Sequence, residues 1–148
     1  MVIYQTQIIN IVYTAETQIL QIEWKAKPSM AAFKEAYLKA LQFVEEQQHT
    51  RFYCTDLTSC GPFDREQEAW LNTEYYPKVY KSIGSDIYAA VVFTEDHFKA
   101  IVSNYEPSQL SLNYSFILFN YFTVLHEAQD WLAQVQKGQE THLVPATS

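Results

Sequence analysis

The sequence predicts an α/β fold: a mostly parallel five-stranded sheet with an N-terminal antiparallel hairpin and helices on both faces. Three observations carry that reading. The chain opens on two segments rich in β-branched and aromatic residues, Val2 to Tyr13 and Ile19 to Lys25. Short apolar runs follow at Phe52 to Asp56, Ile87 to Phe93 and Phe116 to Phe122. Between and after those runs, apolar residues recur at three- and four-residue spacing, the period of a helix with one buried face. The order is therefore β-β-α-β-α-β-α-β-α, and strands alternating with helices favour parallel pairing through right-handed crossovers.

Each element has a local reason. Leu20, Ile22 and Trp24 alternate with Gln21, Glu23 and Lys25, so this strand is half exposed, and the polar stretch 14–18 joins it to the first as a hairpin. Pro28 stops the strand and Ser29 caps a helix running to about Gln48, with Met30, Phe33, Tyr37, Leu41 and Val44 on its apolar stripe. After the third strand, the turn Thr58 to Pro62 leads to Asp64 and Gln67, the spacing of a capping box. Trp70, Leu71 and Tyr75 continue that helix, which Pro77 should kink or restart before it ends near Gly84. Ile87 to Phe93 reads as a strand buried on both faces. Thr94 caps a helix with Phe98, Ile101, Val102 and Tyr105 inward, and a loop around Pro107 follows. Phe116 to Phe122, the most hydrophobic strand, is expected in the sheet interior. Thr123 then caps a last helix bearing Leu125, Ala128, Leu132 and Val135.

The chain has 148 residues, one ordinary domain, expected over 1–137 with a polar, flexible tail at 138–148. Hydrophobic residues are 48 % and charged residues 18 %, which excludes a disordered chain. The three glycines, Gly61, Gly84 and Gly138, are too far apart for a phosphate-cradling loop. Ten Lys and Arg against 17 Asp and Glu give a net charge of −7, which argues against nucleic acid or an anionic membrane as partner. The first 24 residues contain no Lys or Arg, so a signal peptide's basic region is missing, and no apolar run is long enough for membrane insertion. With Cys54 and Cys60 in neither redox nor zinc spacing, the expectation is a cytoplasmic protein with reduced thiols.

Chemistry has few places to gather. In open α/β sheets, ligands meet the carboxyl ends of the parallel strands. There the sequence puts Asp56, Thr58 and Ser59 after the third strand, and Thr94 and Glu95 after the fourth. These residues can bind a polar group or accept a phosphoryl group; equally, Asp56 and Ser59 are residues that turns recruit to hydrogen-bond their own backbone. His49, His97, His126 and His142 have no metal-binding spacing, and no nucleophile elbow occurs. No metal, cofactor or catalytic set is therefore expected. Three Trp, eleven Tyr and nine Phe are the unusual feature. Trp70, Tyr75 and Tyr76 give more aromatic surface than one helix stripe needs, which fits a groove or an interface as well as a core.

Beyond these features, Ile22-Glu23-Trp24-Lys25, the helix with Phe33 and Tyr37, the strand ending at Asp56, and Asp64-x-x-Gln67-x-x-Trp70-Leu71 with Tyr76-Pro77-Lys78 form a pattern. Ile87 to Phe93 and Phe122…Glu127-Ala128-x-x-Trp131-Leu132 complete it. Over residues 4–133 the chain resembles the small single-domain STAS-like (anti-sigma-factor-antagonist-like) proteins of Bacteroidetes-type bacteria. That resemblance implies a STAS-like fold and a regulatory or protein-binding role rather than catalysis. Members of the wider group carry a serine in an Asp-Ser-Ser-Gly-like turn that a partner kinase phosphorylates. This chain reads Asp56-Leu57-Thr58-Ser59-Cys60-Gly61 in its place, with Thr58 or Ser59 at a similar position. The expected partner is a protein, including a second copy in a homodimer through Trp70, Tyr75 and Tyr76. The alternative is a carrier of a small apolar ligand, as in the related CRAL-TRIO-like proteins.

Overall fold

Thr6 and Gln7 make the first departure from expectation. In the computed structural model, which describes residues 1–47, 50–103 and 116–141, the opening segment is two strands, β1 (Val2–Gln5) and β2 (Ile9–Thr14). The Thr6 N–H donates to the Ile9 carbonyl (2.9 Å) and the Thr6 hydroxyl accepts from the Ile8 N–H (3.1 Å), closing a turn without glycine or proline. The remaining elements are β3 (Ile19–Trp24), α1 (Met30–Glu46), β4 (Phe52–Asp56), α2 (Arg65–Trp70), a π-helical turn (Leu71–Tyr75), α3 (Tyr76–Ile83), β5 (Ile87–Val92), α4 (Glu95–Ser103), β6 (Ile117–Phe122) and α5 (Leu125–Thr141). Among the described residues, six strands lie in sequence order, β1-β2-β3-β4-β5-β6. The first two pairings are antiparallel and the other three parallel, so the sheet is mixed and six-stranded rather than mostly parallel and five-stranded.

Sequential order decides where the helices go. Right-handed crossovers between neighbouring parallel strands all fall on one face. There α1, α3 and the π-turn pack on Ile11, Leu20, Ile22, Trp24 and Tyr53 through Phe33, Tyr37, Val44, Tyr75, Tyr76 and Val79. Among the described residues, α5 covers the other face, setting Ala128 and Leu132 on Phe52, Cys54, Tyr88, Ala90 and Val92. Over β2 and β3 that face keeps the half-exposed Asn10, Val12, Gln21 and Glu23, which is the solvated side of a hairpin.

The helix ends follow their residues. The Ser29 hydroxyl accepts the Ala32 N–H (3.2 Å) at the start of α1. Ser29→Ala is expected to cost about 1 kcal/mol, read from the urea midpoint. Gln67 holds α2 twice: its Oε1 accepts from the Asp64 N–H (2.9 Å) and its Nε2 donates to the Pro28 carbonyl (3.2 Å). Pro77 does not break the helix. The turn before it widens, the Tyr76 N–H reaching back to the Leu71 carbonyl, and this lets proline enter without a clash against an α-helical carbonyl. Gly84 ends α3 at φ +68, in the left-handed conformation glycine takes without strain.

Two C-terminal expectations change. α5 starts at Leu125, with the Val124 carbonyl accepting from Glu127 and Ala128, so Thr123 lies one residue outside the cap. The helix also runs past Gly138 to Thr141, into the stretch expected to be a tail. Residues 142–148, the loop around Pro107, Tyr105, His49 and His142 lie outside the described residues, as do the side chains of Ile101 and Val102. Among the described residues, no helix is long and apolar enough to cross a membrane.

Candidate functional site

The parallel pairing of β4 with β5 sets Asp56 beside Val92, so the segments after them leave the sheet at the same end. The Leu57 N–H extends the ladder to the Val92 carbonyl (2.7 Å), and the Phe93 N–H does so to the Phe122 carbonyl (3.0 Å). Thr58 and Ser59 are exposed at the tip of the first loop, Thr94 and Glu95 at the start of the second. All five residues singled out in these loops therefore share one end of the molecule.

Asp56 is the anchor of that end. Its Oδ1 accepts from the Thr58 N–H (2.9 Å) and from the Thr58 hydroxyl (2.7 Å), an Asx turn closed twice. The Gly61 N–H then donates to the Leu57 carbonyl (3.0 Å), with Gly61 at φ +76. Lys27 pins the far side, its Nζ 2.9 Å from Asp64 Oδ1 and 3.3 Å from the Pro62 carbonyl. Cys60, half-buried beneath, has its thiol pushed up to about 11 by burial, with Lys27 pulling the other way, so it is protonated at neutral pH. Across the gap, the Thr94 hydroxyl accepts from the His97 N–H (3.1 Å) and caps α4. His97 lies 4.7 Å from the Phe93 ring, and burial lowers its pKa, which keeps it neutral.

This end presents hydroxyls and carboxylates held by backbone geometry. The Thr58 hydroxyl donates to the Asp56 carboxylate, and Thr58 and Ser59 are both exposed residues. Either can accept a phosphoryl group, whose added charge of about −2 would crowd Asp56. Among the described residues, no group of three or more His, Cys, Asp or Glu is placed to hold a metal ion.

The aromatic residues stand elsewhere. Tyr75 is 1 % exposed and Tyr76 5 %, so neither forms an interface or groove. The Tyr75 ring meets Tyr37 (4.9 Å) and Tyr76 (5.2 Å), and its hydroxyl lies 3.2 Å from that of Tyr53. Tyr76 turns the other way, onto Phe119 of β6 (5.7 Å). Trp70, half-buried, closes the cluster against Phe33 (6.0 Å) under the Lys34 ammonium. The surplus aromatic area is thus spent inside the core. Two open clefts lie instead against the hairpin: about 240 Å³ among Met1, Tyr13 and Phe43, and about 390 Å³ among Tyr4, Ile8, Ala32 and Glu35.

Comparison with protein-family models, curated proteins and solved structures gives no match. The strand order is itself informative. Ligand crevices in open α/β sheets form where successive crossovers leave to opposite faces, and β3-β4-β5-β6 has no such switch.

Proposed function

We propose that this chain is a non-catalytic regulatory or protein-binding module of STAS-like type, with the loop Asp56 to Gly61 as its regulatory face. The observation that carries the reading is the pair of exposed hydroxyl-bearing residues, Thr58 and Ser59, in a turn that Asp56 and Gly61 fix at the end of the sheet. Thr94 and Glu95 widen the same face. The monotonic strand order supports binding on the surface over chemistry in a crevice, and the buried, mutually packed core rings favour a protein partner over an apolar cargo.

The test uses the full chain as bait in a native lysate, comparing wild type with Thr58→Glu/Ser59→Glu and with Thr58→Ala/Ser59→Ala. A regulatory loop predicts that the acidic pair loses the captured protein and the alanine pair keeps it, with both variants melting as folded domains. Capture indifferent to charge at these two positions overturns the reading.

A further inference from the structure

The sheet has two edges among the described residues, and they differ. β1 is four residues long, with a register shift between Val2 and Tyr4, the blunted form natural edges take. β6 is six residues, pairs with β5 in unbroken register, and contains no charge and no proline. An edge of that kind is a template for another strand.

Its free side can be read from the ladder. The Phe116 carbonyl accepts from Ile87 (2.7 Å) and the Phe122 carbonyl from Phe93 (3.0 Å), so even-numbered residues face β5. By alternation, Ile117, Phe119 and Tyr121 direct their N–H and C=O groups away from it. Among the described residues, the Tyr121 N–H is met by a side chain of its own strand, Asn120 Oδ1 at 2.9 Å. The exposed apolar residues gather here as well. Leu118 is 41 % and Tyr121 42 % exposed, and Phe98, Val124 and Leu125 are exposed around the strand's end.

Charge selects the occupant. The helical stretch α2 to α3 runs antiparallel beside β6: Tyr76 meets Phe119 (5.7 Å), Tyr80 stacks on Phe116 (4.3 Å), and Glu68 acts on Tyr121. Exposed Glu66 and Glu68 thus flank the carboxyl end of β6, and exposed Lys78 and Lys81 its amino end. On the other face α5 repeats the pattern, with Glu127 and Asp130 at the carboxyl end and Lys137 toward the amino end. Glu95 and Asp96 of α4 add to the acidic end. Arg65 and Lys99 there, and Asp86 at the basic end, reduce this polarity without reversing it. An antiparallel strand with the same polarity sets acid against base at both ends.

We infer that the occupant is a second copy of this chain, the two β6 strands pairing antiparallel about a two-fold axis at Phe119. Ile117 then exchanges backbone hydrogen bonds with Tyr121 of the partner subunit, and the two sheets become one. This surface is distinct from the Asp56–Gly61 loop, with Glu95 bordering both, and it does not rest on the regulatory reading.

The experiment combines sedimentation equilibrium of the full chain across the micromolar range with amide exchange. A dimer is expected, with protection of the Phe119 and Tyr121 amides rising with protein concentration. Leu118→Lys, at an exposed position, places a gatekeeper charge on the edge and should weaken dimerisation about tenfold or more. Lys78→Glu with Lys81→Glu should also weaken it, and adding Glu66→Lys with Glu68→Lys should restore it. A monomer at every concentration overturns the proposal. So does a dimer in which Phe119 protection is independent of concentration.

Discussion

Above about pH 10 the protein is expected to unfold, and its buried tyrosines are the cause. Burial raises the pKa of Tyr37, Tyr53, Tyr75 and Tyr76 well above the ordinary tyrosine value. In the unfolded chain each ionises near its ordinary value of about 10. Beyond that pH the unfolded state holds fewer protons than the native state, so stability falls as pH rises; below it, the contribution is fully present. Each such tyrosine removes about 1.4 kcal/mol per pH unit, and four together about 5 kcal/mol one unit above. A domain's whole stability is about 5–15 kcal/mol. Tyrosinate absorbance should therefore show a gradual phase from exposed tyrosines and a cooperative one coincident with loss of far-ultraviolet circular dichroism. Tyr76→Phe should flatten the alkaline slope by about 1.4 kcal/mol per pH unit, which separates tyrosine from the general loss of lysine charge. Complete tyrosine ionisation with the dichroism unchanged contradicts the account.

Much of this architecture was legible in the residues. The Ser29 cap, the stripe of α1, the alternation in β3, the strands β4 and β5 and the Asp64–Gln67 box stand as local chemistry reads them. The break between β1 and β2 carries no signal, because Thr6 and Gln7 are not turn residues by type; one hydroxyl makes the turn. β6 shows why strand order stayed hidden. Apolarity reports what touches the two faces of a strand, and helices do cover parts of both faces of β6: Ile117 and Phe119 join the α1–α3 side, Phe122 the α5 side. It says nothing of the two edges, where backbone groups decide. Hence a run read as interior ends the sheet. Tyr75 and Tyr76 misled for a related reason. Adjacent helix residues point about 100° apart, so one apolar stripe seldom buries both. Here the helical stretch has neighbours on two sides, α1 and β4 for Tyr75 and β6 for Tyr76. At the loop, Asp56 was legible as a turn residue, but the sequence paired it with Ser59, whereas the turn closes on the Thr58 N–H and hydroxyl.

Phe33→Ala is expected to be the most damaging single truncation of the core. The Phe33 ring is fully buried where α1 crosses the sheet, with Tyr37 and Phe63 at 4.9 Å, Trp24 at 5.8 Å and Trp70 at 6.0 Å. It thus joins β3, α1, the loop before α2, and α2 itself in one contact. Removing a buried phenyl ring costs about 3–5 kcal/mol, through lost transfer free energy and the cavity left behind. Rigid aromatic neighbours anchored on separate elements collapse poorly into such a cavity, which favours the upper part of that range. Against a total of about 5–15 kcal/mol, the variant should be barely folded at 37 °C. Leu38→Ala supplies the control: the same helix, an exposed side chain, and an expected change within about 0.5 kcal/mol. Urea unfolding of both variants beside wild type measures the difference. A loss below about 1 kcal/mol for Phe33→Ala would mean that the aromatic cluster repacks freely, and that its geometry does not hold α1 and α2 on the sheet.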